Sequence, residues 1–402
     1  MRLIHFNLLG KKMSEFDDVI LRGIQSRKYG QLVEMFGTND VLPLWIADME
    51  FATPAPIRLA MQHVVAQPIQ GYDLQYPQWE FSISDWYQSQ YAVNIDQRWL
   101  HYVPGVIKAI VLAILSLTKP DDSVLTFSPI YDPYPNLVKT SGRQLVQSKL
   151  IQKDGTFAID WQDFEDKVQT CRAFLFCSPN NPGGVVWDKD SLRRIATICK
   201  ASNTLVIADE IHGDLTLFSQ QHIPFFSVSQ EASENCIVLS SANKTFNMPG
   251  VQGGFAIVPN PDLRERFYGF LDGCYLAETN TLQQAAMVTA FLACREWHAQ
   301  LKEYLAKNIE YVQQQMKLRC PKITTVYGGA SYLLLLDATN LGLEPEQIKA
   351  FFIKKARLGL SPGSQYGPGC EYYMRLNVGC PRSMLVEAMD RLAKAYRELS
   401  HR

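Results

Sequence analysis

Between about residues 100 and 260, short apolar runs alternate with segments in which apolar residues recur at helical spacing. The helical segments include Val106–Leu117 and Ser191–Lys200. The apolar runs are Leu100–Val103, Val124–Phe127, Ala173–Cys177, Leu205–Ala208, Ile237–Leu239 and Gly253–Val258. This alternation predicts an α/β fold, in which a mostly parallel sheet is covered by helices on both faces.

The rest of the chain predicts a smaller α+β unit. Residues 281–316 have the pattern of one long helix, Tyr332–Leu336 that of a strand, and Ser383–Leu399 that of an amphipathic helix. Because 402 residues exceed one simple core, we expect two domains. The large domain is predicted over residues 55–295, and the small domain over 13–54 and 296–402, with 1–12 as an N-terminal extension. Translation could also start at Met13, where the recognisable pattern begins.

Polar residues follow five of the apolar runs at the point where each run ends. They are Pro104-Gly105, Ser128-Pro129 with Tyr131, Asn180-Asn181, Asp209, and Ser241–Lys244. In open parallel sheets, ligands bind at the carboxyl ends of the strands. The pattern therefore predicts that these residues meet in one crevice.

Lys244 lies a few residues after the apolar run Ile237–Leu239. Burial at such a position lowers the pKa of a lysine and leaves a usable amine. An amine of this kind can form a Schiff base with an aldehyde cofactor. On this segment alone, a lysine in a solvated loop is an equal alternative.

Asp209 ends the apolar run of the segment TLVIADEIHGD (204–214). A buried carboxylate is costly unless it meets a cation, and the protonated ring nitrogen of pyridoxal 5'-phosphate is such a partner. A P-loop ATPase, a dinucleotide-binding fold and a zinc protease would need the motifs G-x-x-x-x-G-K-[ST], G-x-G-x-x-G and H-E-x-x-H, and none of these occurs. Together with Lys244, Asp209 predicts a pyridoxal phosphate site without a metal.

Three further positions are candidates for contacts with this cofactor. Gly105, Val106 and Ile107 begin a helix, whose free N–H groups favour a phosphate. Tyr131 could stack on a flat ring, and Asn181 could donate its amide to the phenolic oxygen. The alternatives are a simple turn, a tyrosine packed between prolines, and an Asx turn before Pro182.

Composition narrows the possible partners. Lys and Arg total 39 against 40 acidic residues, and a net charge of −1 gives no reason to expect nucleic acid or an anionic membrane. No apolar stretch is long enough to span a bilayer, and the N-terminal segment lacks a small-residue cleavage site. Nine scattered cysteines without C-x-x-C indicate reduced thiols. We therefore expect a cytoplasmic enzyme that acts on small molecules.

Eight motifs in order carry a family resemblance from about residue 15 to the C-terminus. They are PLWIADMEF (43–51), GYDLQYPQW (71–79), PGVIKAI (104–110), SPIYDPY (128–134), CSPNNPGG (177–184), ADEIHGD (208–214), SANKTFNMPG (241–250) and MRLNVGCPR (374–382). With these motifs the chain resembles fold-type I pyridoxal phosphate enzymes of the class I/II aminotransferase superfamily. Within that superfamily it is most similar to the MalY/PatB-type C–S β-lyases, the cystathionine β-lyases.

The resemblance implies a homodimer with its active site at the subunit interface, and a role for each matching residue. Lys244 would be the Schiff-base lysine, and Asp209 would hold the ring nitrogen. Arg375 and Asn181 would bind the substrate. The remaining cofactor contacts would be Asn181 and His212 near the phenolic oxygen, Tyr131 on the ring, and Gly105, Val106, Ile107, Ser241 and Tyr72 of the partner subunit at the phosphate.

The implied reaction is β-elimination from L-cystathionine or a related cysteine S-conjugate, which yields a thiol, pyruvate and ammonia. His212 favours this reading, since ordinary aminotransferases usually carry tyrosine there. An aminotransferase acting on an L-amino acid and a 2-oxo acid is the alternative, and a regulatory binding protein is a minor one. The chain departs from the family at Asn180 and Gly184, and has Gln252 where ordinary aminotransferases place a phosphate-binding arginine.

Overall fold

The computed structural model describes residues 15–20 and 22–400, so the predicted extension (residues 1–12) and Met13 lie outside the described residues. The strands are β1 (Leu42–Pro43), β2 (Leu100–Val103), β3 (Ser123–Ser128), β4 (Gln144–Lys153), β5 (Thr156–Ile159), β6 (Ala173–Cys177), β7 (Leu205–Asp209), β8 (Cys236–Ser240), β9 (Gly254–Ile257), β10 (Thr324–Val326), β11 (Leu333–Asp337), β12 (Leu358–Gly359), β13 (Ser361–Pro362) and β14 (Tyr373–Asn377). The α-helices are α1 (Arg27–Gly30), α2 (Leu32–Phe36), α3 (Ala55–Val65), α4 (Trp79–Tyr91), α5 (Val106–Leu117), α6 (Tyr134–Thr140), α7 (Trp161–Val168), α8 (Lys189–Ala201), α9 (Gln230–Glu234), α10 (Ala242–Thr245), α11 (Pro261–Gly273), α12 (Thr281–Ala293), α13 (Arg295–Arg319), α14 (Pro345–Ala350) and α15 (Arg382–Ser400).

The larger sheet has eight strands in the order β2-β9-β8-β7-β6-β3-β4-β5. The five consecutive strands from β8 to β4 run parallel, whereas β9 is antiparallel to both of its neighbours and β5 is antiparallel to β4. All six apolar runs are confirmed as strands of this sheet, which is mixed but mostly parallel. The hairpin strands β4 and β5 were not expected from the sequence.

Helices cover both faces of this sheet, as predicted. On one face α5, α6 and α11 bury an apolar cluster that includes Ile110, Val138 and Phe267. On the other face α4, α7, α8 and α12 bury a cluster that includes Trp86 and Phe164. Because both faces are buried, the central strands consist almost entirely of apolar residues.

A second, antiparallel sheet has the order β10-β11-β14-β13. Helices α13 and α15 share one buried cluster with its strands. The N-terminal part of the chain reaches the same region, because β1 pairs in parallel with β12. This arrangement agrees with a small domain formed from both ends of the chain, although its predicted boundaries stay a prediction.

The expectation of one helix over residues 281–316 is wrong. Cys294, with φ −117° and ψ 23°, separates α12 from α13. The two helices belong to different cores: α12 packs against α3 and α4, whereas α13 packs with the second sheet. The predicted terminal helix is confirmed as α15. Within residues 15–20 and 22–400, no helix is both long and apolar enough to cross a membrane.

Candidate active site

A cavity of about 350 Å³ opens at the carboxyl ends of the parallel strands. Its volume lies within the ~300–1,000 Å³ range typical of small-molecule sites. The lining residues come from the ends of β2, β3, β6, β7 and β8, together with the loop that follows β1. They are Ala47, Pro104, Gly105, Val106, Ile107, Lys108, Tyr131, Cys177, Asn181, Asp209, Ile211, His212, Asn243, Lys244, Pro249, Gln252 and Gly253. All five strand ends contribute to the lining, as predicted. Of the predicted residues, Ser128, Pro129, Asn180, Ser241 and Ala242 are outside it.

Lys244 lies in the short helix α10, directly after β8. The helix begins at Ser241, whose hydroxyl accepts from the Asn243 N–H and donates to the Gly253 carbonyl. The Lys244 ammonium donates to the carbonyl oxygen of Ala47. Burial lowers the pKa of Lys244 to about 8, against the charge of Asp48, which raises it, while Arg375 and Lys28 add to the lowering. Lys244 is therefore a buried lysine with a lowered pKa and not a lysine of a solvated loop.

Asp209 is buried at the end of β7. One carboxylate oxygen accepts from the Tyr134 hydroxyl at 2.7 Å, and the other accepts from the Ile211 N–H at 3.1 Å. Burial raises the pKa of Asp209 to about 6, against the hydrogen bonds of Tyr134 and Ile211, which lower it. A protonated ring in the cavity would give this carboxylate the cationic partner that its own hydrogen bonds do not supply.

Glu210, the next residue, is also buried but belongs to a different environment. Its carboxylate contacts His222 Nε2 at 2.9 Å and accepts from the Phe225 N–H at 2.7 Å. Glu210 is not among the residues that line the cavity. Of the two adjacent carboxylates, only Asp209 is available to a ligand.

His212 is buried beside the cavity, and its Nδ1 has no hydrogen-bond partner among the described residues. Burial, together with the charges of Lys244 and Arg375, lowers its pKa to about 3. The imidazole is therefore neutral at physiological pH. An unpaired buried nitrogen of this kind can exchange a hydrogen bond with a bound molecule.

Arg375 lies on β14 and is 5% exposed, which excludes an ordinary surface arginine. Its guanidinium donates to Asn181 Oδ1 at 3.2 Å and to the Trp45 carbonyl at 3.0 Å. Its Nε is buried without a partner among the described residues. The Asx turn in this segment is formed by Asn180, which accepts from the Gly183 N–H at 3.1 Å. The amide nitrogen of Asn181 therefore remains as a donor beside the cavity.

Another part of the cavity wall is formed by the N-terminal turn of α5. Gly105 has φ 125°, a conformation that favours glycine, and it precedes the first helical residue. The N–H groups of Val106 and Ile107 belong to the first turn, where no carbonyl of the helix accepts from them. Tyr131 also lines the cavity, and its ring packs edge-on against that of Tyr134 with 5.5 Å between the centroids.

Two predicted contacts are not brought into the cavity within one chain. Ser241 is buried behind the wall and uses its hydroxyl proton on the Gly253 carbonyl. Tyr72 is fully exposed and does not line the cavity. The phosphate contacts assigned to these two residues stay predictions.

The loop of residues 45–51 closes the side of the cavity next to Lys244. Asn247 clamps this loop: its amide accepts from the Met49 N–H and donates to the Met49 and Phe51 carbonyls. Because Asn247 follows Lys244 by three residues, the loop and the lysine are held in a fixed relation.

Two acidic residues of the loop, Asp48 and Glu50, join Arg22 and Lys28 in a group of four charged residues, the ion cluster. Lys28 is 1% exposed and contacts Asp48 Oδ1 and Glu50 Oε1, each at 2.6 Å. Arg22 contacts the second oxygen of Asp48 at 2.8 Å. Burial tends to raise the pKa of Asp48, but its bonds to Arg22 and Lys28 hold it below the ordinary value. The ion cluster therefore fixes the loop with paired charges.

Sequence reasoning missed two tyrosines that complete the site. Tyr134 donates to Asp209, and Tyr332 donates to the same Ala47 carbonyl that accepts from Lys244. Tyr134 ends the motif SPIYDPY, so its presence was visible, but its partner is 75 residues away in sequence. Ala47 lies in the motif PLWIADMEF, but the role of its backbone carbonyl cannot be predicted from the pattern of side chains.

Residues 39–392 match the family described as aminotransferase class I and II. The chain is 32% identical to cystathionine beta-lyase PatB of Bacillus subtilis, over 93% of this chain and 97% of that protein. It is 30% identical to protein MalY of Escherichia coli, over 96% and 99% respectively. The crystal structure of cystalysin from Treponema denticola, which contains pyridoxal 5'-phosphate, superposes with a TM-score of 0.91 at 29% identity, over 96% of this chain and 99% of that one.

The chain belongs to the class I and II aminotransferase family. The predicted fold class, a fold-type I architecture of the pyridoxal phosphate enzymes, is confirmed. Within the family, its similarity to PatB and MalY covers nearly the whole length of both proteins.

Proposed function

We propose that this protein is a pyridoxal 5'-phosphate-dependent C–S β-lyase, which cleaves L-cystathionine or related cysteine S-conjugates to a thiol, pyruvate and ammonia. The observation that carries the proposal is one cavity lined by the amine of Lys244 and the buried carboxylate of Asp209, with the partly unpaired guanidinium of Arg375 bonded to Asn181, which also lines the cavity. The similarity to PatB over 93% of the chain supports the lyase rather than the aminotransferase.

The groups around the cavity fit this cofactor. Asp209 would hold the ring nitrogen, His212 and Asn181 would face the phenolic oxygen, and Tyr131 would stack on the ring. The first turn of α5, after Gly105, would hold the phosphate. When bound, pyridoxal phosphate supplies a conjugated ring that accepts the electron pair left after the substrate loses its Cα proton. Asp209 would stabilise the protonated ring, and the protonated ring makes this acceptance favourable.

The side chains of this chain bind the substrate and move its proton. Arg375 binds the substrate carboxylate through a charged hydrogen-bonded pair, held in place by Asn181 and the Trp45 carbonyl. Lys244 Nζ, with its pKa of about 8, accepts the Cα proton as the general base. Loss of the thiolate from the β-carbon then leads, after hydrolysis, to pyruvate and ammonia.

The cofactor attachment is tested by borohydride reduction of the purified protein, followed by peptide mapping. We expect visible absorbance from the bound cofactor and a covalent label on the peptide that contains Lys244. The Lys244→Ala protein should carry no label. A label on another lysine, with Lys244→Ala still labelled, would refute the site.

The reaction is tested by incubating the protein with L-cystathionine, and separately with L-alanine plus 2-oxoglutarate. Equal amounts of pyruvate and homocysteine without an added 2-oxo acid are expected. Formation of glutamate without release of a thiol would instead make the protein an aminotransferase. Asp209→Ala is expected to lose cofactor affinity and nearly all turnover in either reaction.

We further propose a cytoplasmic homodimer in which Tyr72 reaches the cavity of the partner subunit. Five large apolar side chains on α3 and the segment after it are exposed by 63–104%: Leu59, Val65, Ile69, Tyr72 and Leu74. Exposed apolar groups of this size favour burial against a partner. All nine cysteines are unpaired thiols, which suits a reducing compartment. Sedimentation should give twice the chain mass of 45.6 kDa, and a monomer would refute this assembly.

A further inference from the structure

Two lysines line the cavity, and they lie on different helices of the fold. Among the described residues that line it, three have basic side chains: Lys108, Lys244 and His212, which its lowered pKa keeps neutral. Lys244 shares the cavity with Asp209, beside which the proposed function places the ring. Lys108 is in the first turn of α5, at the end where the proposed function places the phosphate.

Lys108 is joined to Gln252 at this end. The Lys108 ammonium donates to Gln252 Oε1 at 2.7 Å, although the two residues are 144 positions apart. Both side chains are exposed at the mouth of the cavity, and both line it. Gln252 is the position at which the sequence lacks the arginine of ordinary aminotransferases. Where the positive charge of that arginine is missing, the fold therefore places the ammonium group of Lys108 instead.

We propose that Lys108 is a binding residue for the phosphate of the cofactor, and that it supplies from α5 the positive charge that Gln252 does not. A phosphate group carries nearly two negative charges at neutral pH. The N–H groups of Val106 and Ile107 satisfy its oxygens but bring only a partial charge. An ammonium group retains two protons after its bond to Gln252, so it can serve both partners. The inference rests on the proposed function, since it assigns a ligand to the same cofactor.

The test compares the affinity of apoprotein for pyridoxal 5'-phosphate with its affinity for pyridoxal, which lacks the phosphate. Lys108→Met should raise the Kd of pyridoxal phosphate by about 10- to 100-fold, the range for a hydrogen bond to a charged group. The Kd of pyridoxal should change by less than about twofold, because charge at the phosphate end is irrelevant to it. Binding is followed by quenching of tryptophan fluorescence, which does not depend on turnover.

Lys119→Met is the matched control, because Lys119 is an exposed lysine just after the other end of α5. Its affinities should equal those of the wild type. Lys108→Arg should retain tight binding, and Gln252→Arg should restore it in the Lys108→Met background by returning the cation to the other side of the mouth. These rescues would not follow from a merely structural role for Lys108.

Two results would overturn the inference. Equal affinity of Lys108→Met and Lys119→Met for pyridoxal phosphate would remove Lys108 from the phosphate site. Equal weakening of pyridoxal and pyridoxal phosphate would show that the substitution disturbs the cavity in general. Wild-type apoprotein that binds neither compound would refute the proposed function as well, which separates that failure from the first two.

Discussion

The cavity wall and the ion cluster both contain buried charged side chains. In the ion cluster these side chains form ion pairs, whereas around the cavity they do not. Lys28 in the ion cluster contacts two carboxylates, whereas Lys244 in the wall donates to a carbonyl oxygen and forms no ion pair. Asp209 in the wall and Arg375 on β14 likewise form hydrogen bonds without an oppositely charged group in contact. In the ion cluster, pairing holds the pKa of Asp48 below its ordinary value and so favours its charged form. In the wall, burial shifts the pKa values of Asp209 and Lys244 towards their neutral forms. The same residue types thus become structural or reactive according to their neighbours.

Replacing the two lysines separates these roles most sharply. Lys244→Ala should lower turnover of L-cystathionine by at least about 1,000-fold, because it removes the general base and the cofactor attachment. Its unfolding free energy should not fall, since the substitution removes a buried charge without an ion pair. Pyruvate release and urea unfolding measure the two quantities. Pyruvate release by Lys244→Ala at the wild-type rate would contradict the distinction between a catalytic Lys244 and a structural Lys28.

Lys28→Met should do the reverse and mainly affect stability. It leaves Asp48 and Glu50 buried with only Arg22 as a cation, and breaking a buried ion pair costs about 3–5 kcal/mol of unfolding free energy. Lys307→Met is the control, because Lys307 contacts Glu303 on the exposed surface of α13 and should show no measurable change. Equal urea midpoints for the two variants would show that the ion cluster contributes nothing.

Asp209 gives the wall a pH signature that can be measured on the apoprotein. Its pKa is about 6 in the folded chain against an ordinary 3.8, so the folded state binds more protons between these values. The unfolding free energy should therefore fall as pH rises from about 4 to about 6, by about 2–3 kcal/mol from this group. Asp209→Asn should lack this decrease. Parallel pH profiles for the two proteins would contradict the assignment.

The smallest expected effect is that of replacing Arg375, whose Nε is buried without a partner among the described residues. Arg375→Ala should raise the KM for L-cystathionine at least about tenfold, as expected from ~1.5–3 kcal/mol for a charged hydrogen bond. Arg375→Lys should recover only part of the loss, because lysine keeps the charge without the planar fork. An unchanged KM in Arg375→Ala would remove this residue from substrate binding.

The sequence predicted the central sheet because its strands are buried on both faces and read as continuous apolar runs. It did not predict β4, whose segment QLVQSKLIQK (144–153) mixes polar and apolar residues near the sheet edge. The sequence also predicted one helix in place of α12 and α13, because the residues around Cys294 continue the helical pattern. In the structure the two helices pack in different cores. Continuous burial leaves a clear sequence signal, but edges and changes of direction depend on tertiary packing.

The candidate site was predictable where a residue type is unusual for its position. Lys244 and Asp209 follow apolar strands, and the fold brings them to one cavity as expected. Tyr134 and Tyr332 were not predictable, since a buried tyrosine is common in cores and its hydrogen-bond partner is distant in sequence. For the pair of Lys108 and Gln252, the sequence showed that an arginine is missing at position 252. Only the fold shows that Lys108 lies next to this position.

The clamp formed by Asn247 has a consequence for transplanting parts of this protein into its relatives. Its one amide side chain makes three backbone bonds to the loop of residues 45–51, so it replaces a stretch of sheet pairing between two segments about 200 positions apart. A chimera that receives only the segment of Lys244 and Asn247 would combine it with a loop from the other protein, which need not fit the Asn247 amide. The loop and this segment should therefore be exchanged together or left in place together.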